Sequence, residues 1–190
     1  MEARELRKLT VDEYITLDRA SEERWEYAGG EAFAMVGASM RHNAIVMNIS
    51  VALANRLRGT PCFPLVSDQK IETTATRAFH YPDIVVVCGK PRIGAKDDRA
   101  ISNPTVLIEV TSPSTSDYDR AAMFDHYATI SELQEFVAVF TESRRIEHRK
   151  RTADDQWILK NVIGGDLVLE SVGVTLSLDA VYADLDRVEP

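Results

Sequence analysis

Two runs of almost uninterrupted aliphatic residues, Ile84-Val85-Val86-Val87 and Val106-Leu107-Ile108-Glu109-Val110, set the strongest limit on how this chain folds. A strand with one face in water alternates apolar and polar residues, whereas a run that is apolar at nearly every position needs cover on both faces. The two runs are therefore expected to be the central strands of a layered sheet. Tyr81-Pro82-Asp83 opens the first run, and the second carries Glu109 near its end. Burying either carboxylate among β-branched neighbours is costly unless it meets a cation, a hydrogen-bond network or its own proton.

The 190 residues suffice for one domain with a real core, and the expectation is a single domain over residues 1–190. No apolar stretch approaches the roughly 20 residues of a membrane span, and Met1-Glu2-Ala3-Arg4-Glu5-Leu6-Arg7-Lys8 lacks a signal-peptide core, so a soluble, cytoplasmic protein is expected. Cys62 and Cys88 lie in apolar surroundings without zinc-site spacing and read as buried thiols, not a disulfide. The net charge of −8 argues against non-specific coating of nucleic acid, which depends on neutralising many phosphates. Arg144, Arg145, Arg149, Lys150 and Arg151 still crowd into one segment, with strand alternation placing Arg145, Arg149 and Arg151 on one side. They read as a solvated edge hairpin, with phosphate contact as the other reading.

Thr10 followed by Glu13 has the form of a capping box opening a helix through Tyr14, Ile15 and Leu17. Residues 24–35 read as a hairpin turning at Ala28-Gly29-Gly30. Ser39 caps a helix whose Ile45, Ile49, Ala52, Leu53 and Leu57 form one apolar stripe, stopped by Gly59-Thr60-Pro61. Strands are expected at residues 63–66, 69–73, 84–88 and 106–110. Residues 89–104 read as an exposed loop, Ser112-Pro113-Ser114-Thr115-Ser116 as a turn, and residues 117–130 as a helix. Strands near residues 135–141, 145–151, 156–161 and 167–169 complete a mixed sheet.

Asp83 and Glu109, 26 residues apart on strands that can lie side by side, are hard oxygen ligands suited to magnesium or manganese. Such an ion polarises a phosphodiester and lowers the pKa of an attacking water. A strand glutamate paired with a buried arginine meets the same demand, so spacing alone leaves both readings open.

The motifs Leu9-Thr10-Val11-Asp12-Glu13-Tyr14, Arg24-Trp25-Glu26-Tyr27, Gly30-Glu31, Arg41-His42-Asn43, Ser67-Asp68, Tyr81-Pro82-Asp83, Ile108-Glu109-Val110-Thr111-Ser112-Pro113-Ser114-Thr115 and Tyr118-Asp119-Arg120 together carry a resemblance. From about Thr10 to Tyr182 the chain resembles the Uma family of restriction-endonuclease-like proteins, a branch of the PD-(D/E)XK nuclease superfamily. The resemblance implies an α+β, restriction-endonuclease-like core, a central mixed β-sheet flanked by helices. It implies Asp83 and Glu109 as ligands of Mg2+ or Mn2+, Glu31 as third acid, and His42 facing the same cleft. It also implies DNA as substrate and a homodimer.

Two departures matter. The superfamily lysine would fall at Thr111, and the position on the following helix to which this family moves it corresponds to Met123. Lys70 and, second, Arg120 are then the candidates to supply the cation. A metal-dependent endonuclease, a catalytically impaired member acting as a nucleic-acid or protein binding module, and a structural protein with a hydrogen-bonded acid cluster are the three readings that follow.

Overall fold

The computed structural model describes residues 8–35, 37–111 and 117–188. Helix α1, Val11–Ala20, starts at Thr10, whose side chain accepts from the Glu13 amide while Glu13 reaches back to the Thr10 amide, so the capping box is complete. Strands β1, Trp25–Ala28, and β2, Glu31–Ala34, form a hairpin in which Ala28 faces Glu31 across Gly29 and Gly30. Both glycines have positive φ, +61° and +94°, which a two-residue turn of this hand requires. Ser39 caps α2, Met40–Leu57, by accepting from the His42 amide.

There follow β3, Cys62–Val66, β4, Lys70–Thr73, β5, Ala78–His80, β6, Ile84–Cys88, the two-residue β7, Ala100–Ile101, and β8, Val106–Thr111. Helix α3, Asp117–Ala128, leads to β9, Glu135–Phe140, β10, Ile146–Arg151, and β11, Trp157–Val162. The hairpin of β12, Asp166–Leu169, and β13, Val174–Ser177, precedes α4, Leu178–Val181, and a final 3-10 turn, Leu185–Arg187. The large sheet has the order β11-β10-β9-β8-β6-β3, and a smaller one the order β2-β1-β5-β4-β7. β8 and β9 are parallel, and a parallel pair needs a crossover, which α3 supplies.

Strand alternation explains the apolar runs. Ile84, Val86, Val106 and Ile108 pack with Ile45, Ile49, Leu53 and Leu57 of α2, while Val85, Val87 and Leu107 pack with Tyr127 of α3, Ile130, Leu133 and Phe136 on the opposite face. Each such buried side chain contributes about 1.5–3 kcal/mol relative to exposure. β6 nevertheless stands one strand from the edge, because β3 alone lies outside it; β8 and β9 are the central pair. Among the described residues no helix is long and apolar enough to cross a membrane. The turn expected at residues 112–116 lies outside the described residues.

Three expectations are overturned in whole or in part. Residues 89–104 are not a plain exposed loop: Ala100 and Ile101 pair with Lys70 and Ile71, Ile93 bridges to Ile101, and Asp97 is buried. Glu72 holds this segment by accepting from the amides of Lys96 and Asp97, and Gly94 leaves the space its carboxylate needs, since a Cβ there would stand 2.4 Å from Glu72 Oε2. The arginine-rich segment does belong to a hairpin at the sheet edge, β10 with the edge strand β11, but Arg145, Arg149 and Arg151 are half-buried and not simply solvated. Arg145 sits over Phe140 at 3.7 Å, Arg149 over Phe124 at 4.7 Å and Arg151 over Trp157 at 4.8 Å, so the three share a side but spend it on aromatic faces.

Cys62 and Cys88 are a disulfide, not two thiols, because the antiparallel register of β3 and β6 sets them directly opposite each other. The bond closes a loop with a sequence separation of 26 residues. For a loop of this size the expected stabilisation is about 3 kcal/mol, so reduction, or the double change to Ser, should lower the melting temperature by about 6–12 °C. Thermal melts with and without dithiothreitol check this; coincident melts would contradict it.

Candidate active site

The site lies where the chain leaves the small sheet at β5 and enters the large one at β6, so residues of both sheets converge there. The β6–β8 register pairs Ile84 with Ile108, which places Asp83 opposite Glu109. Asp83 Oδ2 accepts from the Val110 amide at 2.8 Å and lies 3.1 Å from His42 Nε2. Burial alone would lower the His42 pKa, but the hydrogen bond and charge of Asp83 outweigh it and hold the imidazole above its usual value. The Tyr127 hydroxyl donates to Glu109 Oε1 at 2.9 Å. Burial, followed by the negative charges of Asp83 and Glu26, pushes the Glu109 carboxyl well above the usual range. In the absence of a cation Glu109 therefore holds a proton to a higher pH than an ordinary glutamate.

Glu26 enters from β1. Its Oε1 accepts from the Tyr81 amide at 2.9 Å, and its Oε2 lies 3.5 Å from His80 Nδ1. Burial works against its charge, yet His80 and the Tyr81 amide outweigh that and keep its pKa below the usual value. A cleft of about 490 Å³ opens over these groups, lined by Glu26, His80, Asp83, Glu109 and His126, with an apolar wall that includes Phe33, Met35 and Met123. Thr111 also lines it, and no lysine or arginine stands among the described lining residues.

The structure thus brings Asp83, Glu109 and His42 together and sets the other sequence candidates apart. Glu31 pairs with Ala28 beside the hairpin turn, where it is exposed and does not line the cleft, whereas Glu26 of β1 does line it. Lys70 is 1% exposed and belongs to a different cluster, where its Nζ donates to Asp18 Oδ2 at 2.6 Å and Asp97 Oδ2 at 2.7 Å. Burial would lower the Lys70 pKa, but these two bonds raise it; against its own desolvation, Asp97 is held down at about 2 by Lys70 and then by Arg19. Arg120 is buried with its guanidinium 4.8 Å from the Phe140 ring centre, and it does not line the cleft.

Sequence reading missed Glu26, His80, His126 and Tyr127. One signal was available: in the run Trp25-Glu26-Tyr27, alternation turns the glutamate away from its aromatic neighbours.

A mixed sheet covered by helices, with paired acids where one strand begins and its neighbour ends, defines a restriction-endonuclease-like domain. Comparison with known proteins places the chain within that class: residues 11–181 match the family model described as "Uma2: Putative restriction endonuclease", and the chain belongs to this family. It is 34% identical over 179 residues to an uncharacterised protein of Synechocystis sp., covering 94% of this chain and 93% of the relative. A second uncharacterised protein of that organism is 30% identical over 162 residues, covering 85% and 92%. The fold is similar to the crystal structure of a protein from Anabaena variabilis described as a putative nuclease belonging to DUF820, with a TM-score of 0.77, 16% identity, and coverage of 93% of this chain and 99% of that one.

Proposed function

We propose that the chain is a divalent-metal-dependent endonuclease that hydrolyses DNA phosphodiester bonds, with Asp83 and Glu109 holding Mg2+ or Mn2+ and Glu26 as an outer acid. The observation that carries this reading is the Glu109 carboxyl, set against Asp83 with its pKa driven up by burial and by like charge. Such a pair is unfavourable as two anions and favourable around a cation. Among the described residues no three His, Cys, Asp or Glu side chains already stand as a metal-binding group. The donors present still fit a hard dication, since magnesium is commonly held by one or two carboxylates with water and substrate phosphate completing its shell. When bound, the ion supplies Lewis-acid polarisation of the phosphoryl oxygen and a more acidic water. The chain's own groups orient the ligands: the Val110 amide and His42 fix Asp83, and Tyr127 fixes Glu109. A twofold dimer is the arrangement that lets such domains reach both strands of a duplex.

Supercoiled plasmid and single-stranded DNA, incubated with Mg2+ or Mn2+, test the proposal. Cutting by the wild type and its loss in folded Asp83→Asn and Glu109→Gln are expected; cutting that survives both changes would contradict it. Because a ligand bound only to the native state stabilises it, manganese at about 100 times its dissociation constant should add about 2.7 kcal/mol and raise the melting temperature by about 5–10 °C.

The absence of lysine and arginine from the described cleft wall, with Thr111 and Met123 in it, supports a second reading, a binding module that keeps the acids and the metal without cutting. Its signature is a manganese-induced melting shift with no nicking of either DNA.

A further inference from the structure

Two histidines in the cleft have no role in holding Asp83 or Glu109. His80, at the end of β5, is 5% exposed; its Nδ1 faces only the Glu26 carboxylate, and its Nε2 is buried without a hydrogen-bond partner among the described residues. His126, on α3, presents a buried Nδ1 that is likewise unpartnered, and its ring centre lies 5.5 Å from that of His80. Behind His80 stands Glu26, with Oε2 3.5 Å from Nδ1. Buried polar groups are nearly always paired, and a cluster of exceptions in one cleft calls for an explanation beyond packing.

We propose, on the basis of the nuclease reading above, that His126 accepts the proton of the attacking water and that His80, set between His126 and Glu26, is its positioning residue. In the step, the water oxygen forms a bond to phosphorus while its proton passes to an imidazole nitrogen of His126. The bond from phosphorus to the leaving oxygen breaks with its electron pair on that oxygen, which takes a proton from solvent, and His126 then returns its proton to solvent.

The alternatives within the cleft are occupied. Asp83 and Glu109 are the metal carboxylates of the proposal, Tyr127 donates to Glu109, the Tyr81 hydroxyl donates to Asp18, and Lys70 is enclosed elsewhere. The charged and titratable groups around His126 are His80 from β5, Glu26 from β1, Asp83 and Glu109 in the same cleft, and Asp125 on its own helix. Burial, then His80, lowers the His126 pKa against the opposing charge of Asp125, which leaves the imidazole neutral and ready to accept a proton at neutral pH.

The test measures cutting from pH 5 to pH 9 at saturating manganese for wild type, His126→Gln, His80→Gln and Asp83→Asn, with the manganese melting shift of each. His126→Gln should cut about 10²- to 10⁴-fold more slowly, lose the fall in rate toward acid pH, and keep the full melting shift. Asp83→Asn should lose both cutting and the shift. His80→Gln should displace the acid limb. Imidazole added to His126→Ala should restore part of the cutting, a rescue that a merely structural role would not give. A folded His126→Gln with wild-type rate and acid limb overturns the inference while the nuclease reading stands. A His126→Gln that loses the manganese shift together with cutting also overturns it, and a wild type that cuts nothing removes both.

Discussion

Glu109→Gln should stabilise the metal-free protein at pH 8 while abolishing its response to manganese and its cutting. The sign follows from the proton balance. The Glu109 pKa lies well above the usual range in the folded protein, so between about 4.3, its unfolded value, and that raised value the native state keeps a proton that the unfolded chain has released. Native stability from this group is therefore present in acid and falls as pH rises through that window. Glutamine carries no such proton, so the variant should lack this fall, and each pKa unit spanned is worth about 1.4 kcal/mol. Melts in chelator at pH 5, 6.5 and 8 should show the wild-type and variant curves separating as pH rises; curves that stay parallel would contradict the assignment. The loss of cutting should be large, because removing a metal ligand forfeits several kcal/mol of transition-state stabilisation, and about 4 kcal/mol corresponds to about a thousandfold.

Lys70→Met should be among the most destabilising single changes in the chain. Its ammonium is enclosed between Asp18 and Asp97 and lies 5.3 Å from the Tyr14 ring centre and 5.4 Å from that of Tyr81. Removing one partner of a buried ion pair leaves the other charge uncompensated, at a typical cost of about 3–5 kcal/mol, or about 6–20 °C in melting temperature for a chain of this size. Thermal melting at neutral pH measures this directly. A Lys70→Met protein that melts with the wild type but fails to cut would instead restore the catalytic role expected from sequence.

That contrast shows why some of the site was legible and some was not. Asp83 and Glu109 stood out because each interrupts or opens an apolar run, and alternation then brings both to one place. That Glu26 lines the cleft was not legible because it depends on β1 pairing with β5, Tyr27 against Phe79, a contact between segments about 50 residues apart with no local signal. Lys70 reads as the candidate cation of the cleft because its two partners, 52 and 27 residues away, leave no local signal of a separate cluster. Arg145, Arg149 and Arg151 read as solvated for the same reason, since Phe140, Phe124 and Trp157 come to them only through tertiary packing. Helix caps, the glycine hairpin and the α2 stripe, each set by neighbours within a few residues, were read correctly.

The most direct test of the central claim is calorimetric titration of manganese into the metal-free protein near neutral pH, in two buffers of different ionisation enthalpy. If Asp83 and Glu109 hold the ion, Glu109 must give up its proton as the metal binds, so the apparent heats should differ by an amount corresponding to a proton released per ion. Glu109→Gln should remove that difference and weaken binding. Heats that are the same in both buffers, or binding that the Asp83 and Glu109 variants leave unchanged, would contradict the account.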